Sequence, residues 1–148
     1  MLANEASTLA LGATIARGLG GGMVVTLSGD LGAGKTTLVR GMLRGLGWQG
    51  PVKSPSYTLV EHYVFSRLYC YHFDFFRLTD EREWDNLGFG DDFRPDSVCV
   101  IEWPERVLRR LPRVDLALTL TIAGEGRRAR LATRTVQGNA CLDVLPPH

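Results

Sequence analysis

Residues 29–36 read GDLGAGKT, and this octet constrains the chain more than any other stretch of it. The spacing G-x-x-x-x-G-K-[ST] belongs to a phosphate-binding loop, which works only where a strand delivers the chain to a tight turn and a helix carries it away. Both flanks are present. Met23 to Leu27 is an apolar run of strand type, and Leu38, Val39, Met42, Leu43 and Leu46 form a helical stripe that Gly47 stops. Gly29, Gly32 and Gly34 can take backbone angles that a Cβ forbids, so that successive N–H groups turn inward around a phosphate at the start of the helix. Asp30, Leu31, Gly32, Ala33, Gly34, Lys35, Thr36 and Thr37 are thus the expected nucleotide-binding residues. Lys35 is expected on the β- and γ-phosphates, the Thr36 hydroxyl on Mg²⁺, and the Thr37 hydroxyl on a phosphate oxygen.

The rest of the chain supplies the other layers of such a fold. Asn4 can cap a first helix carrying Leu11, Ile15 and Leu19, which Gly20, Gly21 and Gly22 end. Gly41 and Gly45 inside the helix after the loop each cost about 1 kcal/mol relative to Ala, which implies close packing against a neighbouring backbone. Residues 48–56, WQGPVKSPS, form a loop at a place where nucleotide-binding proteins carry mobile sensing segments. Two β-rich stretches follow, Tyr57 to Phe65 and Leu68 to Phe73, the second ending at Asp74. Asp80 with Glu83 resembles a capping box for a short helix closed by Gly88. Ser97 to Ile101 is a buried-type strand ending at Glu102, and Pro104 is placed to open a helix through Leu111. Val114 to Ile122 and Arg127 to Val136 alternate around Gly124-Glu125-Gly126 as an antiparallel hairpin. The fold class expected is α/β: a mostly parallel central sheet flanked by helices, with a C-terminal antiparallel hairpin, in a single domain over residues 1–148.

A phosphate loop needs an acid for the Mg²⁺ shell and for the attacking water, and in open α/β sheets such acids end neighbouring strands. Asp74 and Glu102 qualify. The run before Glu102 is apolar throughout, as in a central strand, so Glu102 is the first choice for the metal side. Asp74 is then the second acid, placing a water or a switch-loop group. The competing reading is that either acid caps a loop or pairs with an arginine such as Arg77. His72 reads as a packed strand residue, Trp103 either as core or as a cover for the pocket, and Arg127, Arg128, Arg130 and Arg134 as a solvated strand face or a phosphate contact.

Charge and cysteines narrow the class. Seventeen Lys and Arg against sixteen Asp and Glu leave a formal net charge of +1, so overall charge gives no reason to expect a polyanion binder. Cys70, Cys99 and Cys141 show no metal or redox spacing, and the first two lie in strand-like runs as buried thiols. The N-terminal stretch lacks the basic start of a signal peptide, and no apolar run approaches a membrane span. A soluble cytoplasmic protein is expected.

Five ordered blocks, GDLGAGKTTLVRG (29–41), VKSPSYTLVEHY (52–63), YHFDFFRL (71–78), LGFGDDF (87–93) and VIEWPERV (100–107), resemble the TsaE (formerly YjeE) ATPases of bacterial tRNA threonylcarbamoyladenosine biosynthesis. The resemblance covers nearly the whole chain. It implies ATP and Mg²⁺ as cofactors, with Lys35 and Thr36 on phosphates and metal, Glu102 the metal-side acid, and Asp74 required for hydrolysis. Ser54, Ser56 and Thr58 match its nucleotide-sensing loop, Trp103 its Trp after the acid, and Glu5 and Arg127 positions near the nucleotide. It further implies an ATPase that is weak alone and acts with TsaB and TsaD, touching tRNA only indirectly. A small-molecule kinase and a nucleotide-gated scaffold are the alternatives; a GTPase would need an N-K-x-D motif, which the chain lacks.

Overall fold

The structure is a computed structural model that describes residues 1–55 and 57–145. Its centre is a six-stranded sheet in the order β2-β3-β4-β1-β5-β6, with β1 at Val24–Ser28, β2 at Val60–Val64, β3 at Tyr69–Asp74, β4 at Ser97–Glu102, β5 at Leu116–Ala123 and β6 at Gly126–Thr133. The four inner strands β3, β4, β1 and β5 run parallel, and each edge is an antiparallel hairpin partner. β4 is buried at every position, because helices cover one of its faces and an aromatic cluster the other.

One face packs against α1 (Glu5–Ala16) and α2 (Lys35–Leu46) through Ile15, Leu38, Val39, Met42 and Leu43 over Val25, Leu27, Val98 and Val100. The opposite face of β3 and β4 buries Phe73, Phe75, Trp84 and Phe89 with Ile101. Phe73 stacks on Phe75 at 5.4 Å and meets Phe89 edge-on at 5.5 Å, the offset and T-shaped arrangements that aromatic quadrupoles favour. The expectation of close helix packing at Gly41 and Gly45 is met. A Cβ at Gly41 would fall 2.3 Å from the Leu9 carbonyl oxygen, and one at Gly45 would fall 2.7 Å from the Ala16 methyl.

Asp115, fully buried, ties the base of the sheet: it accepts from the Val24 N–H at 2.8 Å and from the Thr135 hydroxyl at 2.6 Å. Thr135 in turn caps α4 (Val136–Asp143) by accepting from the Gly138 N–H. At the other end of the chain, Leu2 and Arg127 exchange two backbone hydrogen bonds, strapping the N-terminus to the start of β6.

Four local expectations are corrected. The final strand stops at Thr133 rather than reaching Val136, because Thr135 starts α4. Residues 104–111 form two short 3₁₀ turns, Pro104–Arg106 and Leu108–Arg110, rather than one helix; Val107 interrupts them at φ −136° to bury its side chain. α3 (Arg82–Leu87) has no side-chain cap on its N-cap residue Glu81; Asp80 accepts from the Arg82 N–H, and Glu83 accepts from the Thr79 hydroxyl instead of closing a box. α1 ends at Ala16, ahead of the glycine run, and Leu19 packs on the core from the connection.

Candidate functional site

The phosphate-loop sequence occupies the turn from β1 into α2, at the carboxyl ends of the parallel strands. Gly32 and Gly34 have φ of +82° and +102°, and Gly34 is the N-cap of α2. A helix start leaves N–H groups without intrahelical acceptors, and Gly34 has no side chain to cap them, so the first turn of α2 presents donors and the positive end of the helix dipole. Lys35 is 5 % exposed. Its ammonium donates to the Gly29 carbonyl and lies 3.8 Å from the centroid of the Trp103 ring. Burial pushes its pKa below the ordinary lysine value, against the pull of Glu102 and Asp74.

The two acids chosen from the sequence end adjacent strands side by side: Asp74 and Glu102 are Cα partners in the β3–β4 ladder, and Glu102 is in turn the partner of Leu27 on β1. Both are buried. Asp74 also accepts from the Phe76 N–H at 3.0 Å, so it caps the turn that follows it as well as facing the cleft. Burial raises the Asp74 pKa above the ordinary aspartate value, Phe76 N–H opposes this, Glu102 adds to it, and His72 and Lys35 oppose it. Arg77 does not pair with Asp74. Its guanidinium sits 4.5 Å from the Tyr57 ring centroid.

A cleft of about 310 Å³ gathers Leu31, Gly32, Gly34, Lys35, Thr36, Thr37, Ser54, Asp74, Glu102 and Trp103, most of the expected phosphate and metal residues and part of the switch set. Trp103 belongs to both readings made of it: it packs against the aromatic cluster, with its ring tilted at 44° and 5.0 Å from that of Phe76, and it also lines the cleft. Its backbone, at φ 58° and ψ 52°, is in the left-handed region that a bulky side chain seldom takes. Thr58 is exposed, bonds Glu61 at 3.5 Å and is not among the cleft residues, while Ser56 lies outside the described residues. Asp30 is exposed at the tip of the loop and contributes its carbonyl to the Ala33 N–H. Ala33 is buried and packs on the core rather than lining the cleft.

A second cavity of about 180 Å³ adjoins the first. Asn4, Glu5, Thr8, Glu125, Gly126 and Arg127 line it, together with Gly32, Gly34 and Thr37, which also line the cleft. Arg127 reaches across it to donate to the Gly32 carbonyl at 3.1 Å, and Glu5 pairs with Arg40 at 3.6 Å. The two sequence positions with the weakest local signal, Glu5 and Arg127, are thus brought to the same cavity. Arg128, Arg130 and Arg134 are exposed and take no part. A larger cavity, about 390 Å³ and lined by Met23, Val24, Ser97 and Cys99, opens at the amino ends of β1 and β4. Ligands of open α/β sheets bind at the opposite end, where the glycine turn and the carboxylates are.

His72 is packed in its strand, as expected, and in addition meets a residue of the site. It is fully buried, and its Nε2 lies 2.5 Å from Glu102 Oε2. The signal was present as a period of two, since His72 and Asp74 share a face of β3, but the diagonal reach to β4 needs the register.

Among the described residues no three His, Cys, Asp or Glu side chains converge as a cage for a metal. A hard cation held by one hydroxyl, one carboxylate and phosphate oxygens needs no such cage. The cleft has that composition, with Thr36 and Glu102 both in its lining beside Lys35. No described helix is long and apolar enough to cross a membrane.

Residues 2–132 match the family described as "Threonylcarbamoyl adenosine biosynthesis protein TsaE". The chain is similar to the tRNA threonylcarbamoyladenosine biosynthesis protein TsaE of Haemophilus influenzae, with 47% identity over 116 residues, 78% of this chain and 73% of that one. It is also similar to the proteins of the same name from Bacillus subtilis, 40% identical over 80% of this chain and 72% of that one, and from Nostoc, 40% identical over 86% and 80%. Among solved structures, that of Bacillus subtilis YdiB superposes with a TM-score of 0.76 at 30% identity, covering 95% of this chain and 88% of that one.

Proposed function

The chain belongs to the TsaE family of tRNA threonylcarbamoyladenosine biosynthesis, and from that membership we propose that it is an ATPase that binds Mg²⁺-ATP in the two joined cavities and serves the TsaB–TsaD pair. One observation carries the reading. Gly32, Gly34 and Thr37 line both cavities, so an elongated ligand lying across them would have one end among Lys35, Thr36, Asp74 and Glu102 and the other between Glu5 and Arg127. A triphosphate at the first end and a nucleoside at the second match that polarity.

The chain's own groups suit hydrolysis. Lys35 and the first turn of α2 would offset phosphate charge in a partly dry cleft, which strengthens each contact. Thr36 and Glu102 would hold Mg²⁺, which supplies charge neutralisation at the phosphate oxygens when bound. Asp74, with its pKa raised by burial, would orient the attacking water and accept its proton. Leu31 on the loop and Tyr57 just after the Ser54 segment are 65 % and 84 % exposed, apolar surface near the cleft that a partner protein would cover. Contacts made only with the triphosphate would reorder the 52–58 segment and alter that surface. Contact with tRNA would be indirect, through the partners.

Multiple-turnover phosphate release, with and without TsaB–TsaD, tests the proposal. Slow release that rises on adding the pair is expected. Equal rates in both conditions, or transfer of phosphate to a small-molecule acceptor, would refute it.

A further inference from the structure

We propose that His72 is a positioning residue for the metal side of the cleft: its Nε2–H holds one oxygen of Glu102, so that the other faces the cation. The inference rests on the reading of Glu102 as a Mg²⁺ ligand. In the β3–β4 ladder His72 stands beside Val100 and Asp74 beside Glu102. Alternation along a strand puts His72 and Asp74 on one face, and the imidazole spans one row diagonally to reach Glu102. The side chains of His72 and Glu102 are 0 % and 3 % exposed, and Nε2 to Oε2 is 2.5 Å.

His72 Nδ1 is buried and has no hydrogen-bond partner among the described residues. A carboxylate oxygen accepts, so the proton of this contact belongs on Nε2. An imidazole used only as packing would cost more than an aliphatic side chain in this setting, since half of its polar capacity is unmet. Among the described residues its side-chain hydrogen bond is to Glu102. Two carboxylates at neighbouring strand ends repel, and a donor fixed in the sheet below them selects one Glu102 rotamer before a cation arrives. Outer partners that orient a ligand in this way are typically worth ~10–100-fold in metal affinity.

The test uses calorimetric titration of the full chain with a non-hydrolysable ATP analogue, in Mg²⁺ and again in EDTA. His72→Phe keeps the ring shape without a donor, and His72→Gln keeps an N–H near the Nε2 position. For His72→Phe, affinity in Mg²⁺ is expected to fall about 10–100-fold while affinity in EDTA stays as in the wild type, and His72→Gln is expected to recover most of the loss. An equal fall in both media, or no fall, would overturn the role. Histidine ¹⁵N shifts of the wild-type protein, assigned with His72→Gln, are the second measurement, independent of whether His72→Phe folds. They should report a protonated Nε2, and an unprotonated Nε2 would overturn the proposal. A wild-type protein that gains nothing from Mg²⁺ would instead refute the assignment of Glu102 to the metal.

Discussion

Replacing Gly41 by Ala adds one methyl group at the crossing of α1 and α2, and the structure sets its cost. The new Cβ would lie 2.3 Å from the Leu9 carbonyl oxygen and 3.0 Å from its carbonyl and α carbons. Ordinary contact begins near 3.4 Å, so the helices must part by roughly 1 Å, because the obstacle is backbone and cannot rotate away. Overpacking of this kind costs typically 1–3 kcal/mol, with the backbone obstacle placing it at the upper end. The better helix propensity of Ala returns about 1 kcal/mol. The net is about 2 kcal/mol, or a fall in Tm of roughly 4–8 °C for a domain of this size. The separation also disturbs the second cavity, which Asn4, Glu5 and Thr8 line from the start of α1 and Thr37 from α2, so nucleotide affinity should fall with stability. Thermal and urea melts of Gly41→Ala beside Gly20→Ala make the assay, since a Cβ at Gly20 meets nothing within 4 Å. Gly20→Ala should be neutral or gain up to about 1 kcal/mol. A Gly41→Ala protein as stable as the wild type would refute the reasoning.

Further outcomes can be measured on the same protein. Lys35→Ala should leave the fold intact and cost at least tenfold in ATP affinity by calorimetry, the loss of one charge-assisted contact of about 1.5–3 kcal/mol; unchanged affinity would remove the cleft from consideration. Asp74→Asn keeps an oxygen for the Phe76 N–H and removes a buried charge. Because the Asp74 pKa is raised in the folded protein, its favourable contribution is full below the ordinary value of roughly 3.9 and is lost as pH rises through the higher folded value. The Tm of Asp74→Asn minus that of the wild type should therefore grow from pH 3.5 to pH 7, and a flat or falling difference in differential scanning calorimetry counts against burial as the cause. Asp74→Asn should also lose turnover by about a hundredfold or more while sparing binding, as expected for a general base. Burial pushes the Cys70 and Cys99 thiols up to about 12 and Cys141 to about 11. A thiol reagent at pH 8 should consume none of them until urea unfolds the chain, and rapid native-state modification would contradict the packing.

The site was legible where its chemistry is local. The loop, the strand before it and the helix after it lie within 23 consecutive residues from Val24 to Leu46, and turn and helix signals act over that range. Asp74 and Glu102 were legible as the last residues of apolar runs. What escaped depends on distant parts of the chain. α4 has Gly138 and Asn139 in its middle and little sequence signal of its own; it forms because Asp115 holds its capping threonine and Gly138 fits against the Asp115 carbonyl, where a Cβ would lie 2.1 Å away. The run after Pro104 carried a helix-start signal, but burying Val107 demands a break at that residue. His72 and Glu102 are thirty residues apart and meet only through the register of two parallel strands, which no spacing rule encodes.

The strap between Leu2 and Arg127 has a consequence for how the protein comes off the ribosome. The glycine turn is made early, but the residue that closes over it, through the bond from Arg127 to Gly32, follows 95 positions later. The N-terminal segment waits longer still, since Leu2 precedes its partner Arg127 by 125 positions. Proteins are made from the N-terminus at about 5–20 residues per second, so for several seconds the nascent chain carries a finished loop with one wall missing. Ligand binding can favour folding only through states that already bind. This chain therefore has to bring β6 onto the sheet unaided, and a label fused ahead of Met1 would burden the strap that joins the two.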